Sequence, residues 1–113
     1  MTNKYTLSSI STENYEPFMS GNEQAGEVHW LAQANSSGDP TYSGLWRCEP
    51  MTFDYEFPGD EYIQVLQGDL LIELVDGGSV NLTQGDIACF NKGVKSKWTI
   101  QSSFKKFFVI DNC

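Results

Sequence analysis

The chain has 113 residues, 40% hydrophobic and 13% aromatic, which is enough for one packed domain and too apolar for global disorder. Its net charge is −8, and Arg47 is the single Lys or Arg between Tyr5 and Asn91, so recognition of nucleic acid through phosphate contacts is excluded. No apolar run approaches the roughly 20 residues that cross a bilayer, and MTNKYTLSSI lacks the apolar core of a secretory signal; no membrane partner is expected, and the expected location is cytoplasmic.

Residues 1–25 are polar, with scattered aromatics (Tyr5, Tyr15, Phe18) and no 3.6-residue apolar period. They read as an extended N-terminal arm or edge strand that docks on a barrel formed by residues 26–113. GEVHWLAQA is the first secure strand, and NSSGDPTYSG reads as a loop from its Gly, Pro, Asp and Ser content. From Leu45 onward come LWRCEP, MTFDYEF, EYIQVLQ, DLLIELV, SVNLT, IACFNK, SKWTIQ and KKFFVI, separated by turn signals such as PGD, QGD, DGG and NKG. Many short β-rich runs without a helical segment predict an all-β sandwich or closed barrel. VDGGSV is the clearest hairpin, its glycines supplying positive φ.

Three cysteines (Cys48, Cys89, Cys113) stand far apart, odd in number and without CxxC spacing. They read as free thiols, two buried and one at the terminus, rather than a disulfide framework. Five of the seven basic residues come late (Lys92, Lys95, Lys97, Lys105, Lys106). They form either a solvated strand face or a local anion-attracting rim.

Residues 53–100, FDYEFPGDEYIQVLQGDLLIELVDGGSVNLTQGDIACFNKGVKSKWTI, carry a further pattern. Glu61 stands seven residues before Gly68; Gly85–Asp86 and Gly93 follow, and Trp98 lies five residues past Gly93. Together with SGLWRCEP upstream, this order resembles the cupin superfamily. More narrowly, it is similar to the small single-domain cupins related to (S)-ureidoglycine aminohydrolase and to the ethanolamine-utilization cupin. The resemblance runs from about Gly44 to Ile110 and implies a cupin-type double-stranded β-helix, a jelly-roll barrel. In that setting Gly68 and Gly85 close turns where a Cβ would clash, and Asp86 bonds its own turn.

The resemblance also exposes a departure. A metal-binding cupin has two histidines and a glutamate in its first motif and a histidine in its second. Glu61 falls on the glutamate position, but the histidine positions fall on Tyr55, Phe57 and Ser96. The aminohydrolase-type arrangement would need Tyr55, Phe57, Glu61 and Lys97. A transition metal wants several N, O or S donors, and His29 lies outside both motifs, so no metal and no cofactor are expected. A register shifted by one residue would instead offer Asp54, Glu56 and Glu61 to a hard cation.

Without a metal, a carboxylate inside a barrel needs donors or a cation. Candidates are the Tyr55 hydroxyl, Ser96, and Lys95 or Lys97; the alternative is Glu61 at a strand entrance, facing water like Asp60. The aromatic stock (Trp46, Phe53, Tyr55, Phe57, Tyr62, Phe90, Trp98, Phe107) suits either a core or an apolar pocket. Ser96 and Trp98 share one strand face, which fits the interior. The expected ligand-binding set is Tyr55, Phe57, Glu61, Ser96 and Trp98; no catalytic residue is assigned. Three functions remain open. The first is a metal-free barrel binding a small organic ligand, an amine- or carboxylate-bearing metabolite, as an accessory protein of small-metabolite catabolism. The second is an aminohydrolase-like or other cupin enzyme. The third is a dimeric interaction module, with a homodimer expected in which the arm crosses to the partner.

Overall fold

Alternation of apolar and polar residues every second position, interrupted by glycine-containing turns, yields ten strands and no helix in the computed structural model, which describes residues 4–113. They are β1 Glu16–Ser20, β2 Glu23–Ala34, β3 Pro40–Cys48, β4 Thr52–Glu56, β5 Asp60–Gln67, β6 Asp69–Leu74, β7 Ser79–Thr83, β8 Ile87–Phe90, β9 Lys95–Ile100 and β10 Phe104–Asp111. One sheet has six strands in the order β1-β2-β3-β10-β5-β8, the other four in the order β4-β9-β6-β7. Every pairing is antiparallel. The non-sequential order of both sheets is that of a jelly roll, as the cupin-type pattern implied.

Inward side chains of both sheets merge into one core, with Trp46, Ile63 and Phe108 from the larger sheet meeting Leu70, Ile72 and Trp98 from the smaller. Trp46 and Trp98 close the gap edge to face, ring centroids 5.8 Å apart. The VDGGSV hairpin forms as expected, joining β6 to β7 with Gly77 and Gly78 at positive φ. At Gly68 (φ +85) a Cβ would sit 2.2 Å from the Ser103 carbonyl oxygen. Gly85 differs from its expectation: its φ of +94 needs glycine, but a Cβ there would meet open space. Asp86 does bond its own turn, accepting from the Thr83 amide at 2.9 Å.

Two boundaries differ from the sequence reading. β3 begins at Pro40, so the loop is only 35–39; proline is tolerated as the first residue of a strand, where its missing N–H breaks no ladder bond. β2 begins at Glu23, and β1 precedes it as the edge strand of the larger sheet. The arm before β1 lies on the outer face of its own sheet. His29 is bonded to Asn14 O and to the Ser8 hydroxyl, each at 2.8 Å, and Lys105 donates to Ile10 O. Arg47 holds Glu13 at 3.1 Å and stacks 3.8 Å over Tyr15. The lone histidine is therefore a clamp for the arm. Among the thiols, Cys48 alone is buried; Cys89 is exposed because β8 turns Ile87 and Cys89 outward.

Candidate functional site

Glu61 has no exposed surface at all. On β5 it alternates inward with Ile63 and Val65, while Tyr62 and Gln64 face out. From the facing sheet, β4 turns Phe53 and Tyr55 inward and Asp54 and Glu56 outward. The Tyr55 hydroxyl crosses the interior and donates to Glu61 Oε1 at 2.8 Å. Burial first, and then the charge of Glu61, push the Tyr55 hydroxyl far above its usual range, so it stays a donor.

The second carboxylate oxygen belongs to Lys106, whose ammonium donates to Glu61 Oε2 at 2.5 Å. β10 reads FKKFFVID, and its alternation places Phe104, Lys106 and Phe108 inside. Lys106 pairs in register with Val65 and Glu61 with Ile110, so the two backbones are four residues, roughly 13 Å, apart along the strands. The lysine and glutamate side chains close that distance from both ends, the ammonium lying 4.6 Å from the Trp98 ring centroid, 5.1 Å from Trp46 and 5.3 Å from Phe108. Aromatic faces attract such a cation more strongly where water is excluded. A buried acid is thus matched by a buried base, and the pair is neutral as a unit.

A cavity of about 50 Å³ opens onto this pair, room for a few waters or one small molecule, since a single water needs at least about 10–15 Å³. Trp30, Trp46, Phe53 and Trp98 form much of its wall, and the polar groups at its base are Glu61, Lys106 and Tyr55. Phe18 and Ser20 of the β1–β2 hairpin line its outer end, where Ser20 is exposed.

Of the five expected ligand residues, Tyr55, Glu61 and Trp98 line this cavity. Phe57 lies behind it, buried and stacked on Phe90 at 4.8 Å. Ser96 is buried too, but it donates to the Tyr55 carbonyl at 2.7 Å and accepts from the Trp98 indole at 3.0 Å. It ties the Tyr55 backbone to the Trp98 indole and has no bond to Glu61. Lys95 and Lys97, offered as partners of Glu61, point outward on β9, as does Lys92 on the loop before it. Of the late lysines, Lys92, Lys95 and Lys97 are a solvated face, Lys105 is bonded to the arm at Ile10 O, and Lys106 is inside. Tyr62 and Phe107 also turn away from the interior, since they alternate with Ile63 and Phe108. Lys106 is the residue the sequence reading missed.

The chemistry of these residues does not fit the metal typical of the superfamily. Phe57 has no donor atom, Tyr55 keeps its proton, and Ser96 is engaged elsewhere. Glu61 already holds a cation that the chain itself supplies. The shifted set fails for a different reason: Asp54 and Glu56 lie on the outer face, in register with Lys97 and Lys95, while Glu61 is inside. Among the described residues no three His, Cys, Asp or Glu side chains gather into a metal-holding group.

Residues 35–108 match the family described as EutQ-like cupin domain. A putative ethanolamine utilization protein Q from Salmonella typhimurium LT2 is 20% identical over 74% of this chain and 67% of its own, with a TM-score of 0.64. The Clostridium difficile EutQ protein is 24% identical over 74% of this chain, TM-score 0.62, and the alignment spans 59% of that protein. A cupin superfamily protein from Desulfitobacterium hafniense DCB-2 is 19% identical and aligns over 92% of this chain and 95% of its own, with a TM-score of 0.65. At these identities the solved structures establish the fold. No curated protein matches the chain. Among the described residues no helix is long and apolar enough to cross a membrane.

Proposed function

The chain belongs to the EutQ-like cupin domain family, and from that premise we propose that it is a metal-independent cupin that binds a small, uncharged organic molecule in its interior. The observation that carries this reading is the cavity ending on the buried Glu61–Lys106 pair. Lys106 gives one N–H to Glu61 and lines the cavity, and an ammonium has two further N–H groups that a carbonyl or hydroxyl oxygen there would accept. The aromatic wall takes the apolar remainder of the ligand.

Charge narrows the ligand class. The sequence alone pointed to an amine- or carboxylate-bearing metabolite, with Lys95 or Lys97 as candidate cations for Glu61. Lys106 is the cation that pairs with Glu61, so an ionic ligand would bring an unpaired charge into a site that is already neutral, at a cost of several kcal/mol. A neutral alcohol, amide or carbonyl compound carries no such penalty. An accessory role in small-metabolite catabolism accords with the family and with the ethanolamine utilization proteins that share the fold. An aminohydrolase-like reaction is not favoured, since Lys97, which that arrangement would need, is outside.

The test compares propan-1-ol, propanoate and propylammonium at equal concentration, by melting temperature and by fluorescence of Trp46 and Trp98. A ligand at 100 times its Kd stabilises by about 2.7 kcal/mol. The neutral compound is expected to stabilise and the two ions to do nothing. Stabilisation by either ion alone would reverse the assignment.

Pairing of two copies completes the reading. Beside the arm, the surface that supports a homodimer is the outer face of β5, β8 and β10. Tyr62, Gln64, Ile87, Cys89 and Val109 form an uncharged patch there, with Ile87 80% exposed, on a chain of net charge −8. Elsewhere two such acidic chains would repel each other.

A further inference from the structure

From the placement of the Lys106 ammonium between a carboxylate and the cavity, we infer that Lys106 is a nucleophile that captures small aldehydes as an imine. This rests on the binding reading above and names the ligand class more narrowly. A buried lysine is a poor choice for stability alone, because a buried ion pair rarely outperforms apolar residues of the same volume. Lys106 is 5% exposed and Glu61 fully buried, yet both line a cavity. The arrangement has the parts that imine formation needs. An amine nucleophile must lose its proton to an adjacent base, and Glu61 Oε2 is already the hydrogen-bond partner of that proton. Tyr55 holds the other carboxylate oxygen and fixes its orientation.

The step balances as follows. Lys106 passes one proton to Glu61, the freed nitrogen lone pair bonds to the carbonyl carbon as the C=O π pair moves to oxygen, and that oxygen takes a second proton from the same nitrogen, giving a neutral carbinolamine. Glu61 returns its proton to the carbinolamine hydroxyl, which leaves as water while the carbon–nitrogen double bond forms. The product is a protonated imine beside a carboxylate, the same pair of charges as at the start. Trp46, Trp98 and Phe108 face a cation before and after, so the site stabilises the iminium with the contacts it already has. The small cavity and its apolar wall select short aliphatic aldehydes.

The full chain is treated briefly with limiting propanal and cyanoborohydride, and labelled lysines are located by peptide mass mapping. Lys106 is expected to gain one N-propyl group at least about tenfold faster than Lys92, Lys95 or Lys97, a modest share of the roughly 10²–10⁴-fold that a positioned acid–base group confers. Glu61→Gln should bring labelling of Lys106 below that of the exposed lysines. Tyr55→Phe, which keeps the ring and the carboxylate, should slow it less. If the exposed lysines are labelled and Lys106 is not, while propan-1-ol still raises the melting temperature, imine capture is overturned and binding stands. Absence of both the label and the stabilisation overturns both.

Discussion

Replacing Lys106 by Met keeps most of the length and apolar stem of the side chain and removes its charge. Glu61 would then retain one partner, the Tyr55 hydroxyl at 2.8 Å, in a place with no exposed surface. Removing one member of a buried pair costs roughly 3–5 kcal/mol because the other is left as an uncompensated charge. That is a large share of the about 5–15 kcal/mol that stabilises a domain. At about 4 °C or more per kcal/mol it lowers the melting temperature by roughly 12 °C or more. Urea unfolding followed by tryptophan fluorescence reads the loss directly. Adding Glu61→Leu to the same chain should recover most of the loss, since an apolar pair of similar volume is neutral or stabilising by about 1–4 kcal/mol. A single-variant deficit below about 1 kcal/mol at pH 7, the size of an exposed pair, would refute the reasoning.

Further outcomes follow from the same geometry. Gly68→Ala should cost more than about 2 kcal/mol, since it adds a clash with Ser103 O to an unfavourable φ, whereas Gly85→Ala should cost about 1–2 kcal/mol from φ alone; urea denaturation separates the two. Burial raises the Cys48 thiol to about 11, so iodoacetamide at pH 8 should label Cys89 and Cys113 on the folded chain and reach Cys48 only after unfolding. Light scattering should give twice the 12.7 kDa chain mass, and Ile87→Asp should return the monomer; a monomeric parent would rule out pairing through β8.

The β texture and the hairpin at Gly77–Gly78 were legible because alternation and turn glycines are local properties, whereas the jelly-roll arrangement was legible only through the resemblance to the cupins. The inward placement of Glu61 was legible only through the family spacing, since Asp60 beside it has the same chemistry and faces partly outward. Tyr55 followed from the same register. Lys106 was overlooked for a physical reason: two adjacent lysines in KKFFVI look like a solvated pair, and its contact with Glu61 lies 45 residues away in sequence. A signal was present. With Phe104, Phe108 and Ile110 on one face of β10, period-two alternation forces Lys106 onto that face and Lys105 onto the other. Ser96 was placed correctly inside but given the wrong partner, because side-chain alternation fixes a face without fixing which of several nearby groups a hydroxyl meets.

The most direct measurement is a crystal structure of the chain soaked with propan-1-ol. The predicted map shows Lys106 Nζ on Glu61, the Tyr55 hydroxyl on the other oxygen, and the alcohol oxygen within hydrogen-bond reach of the ammonium against Trp46 and Trp98. A metal ion on Glu61, or Lys106 turned out to solvent with the carboxylate alone, would contradict it.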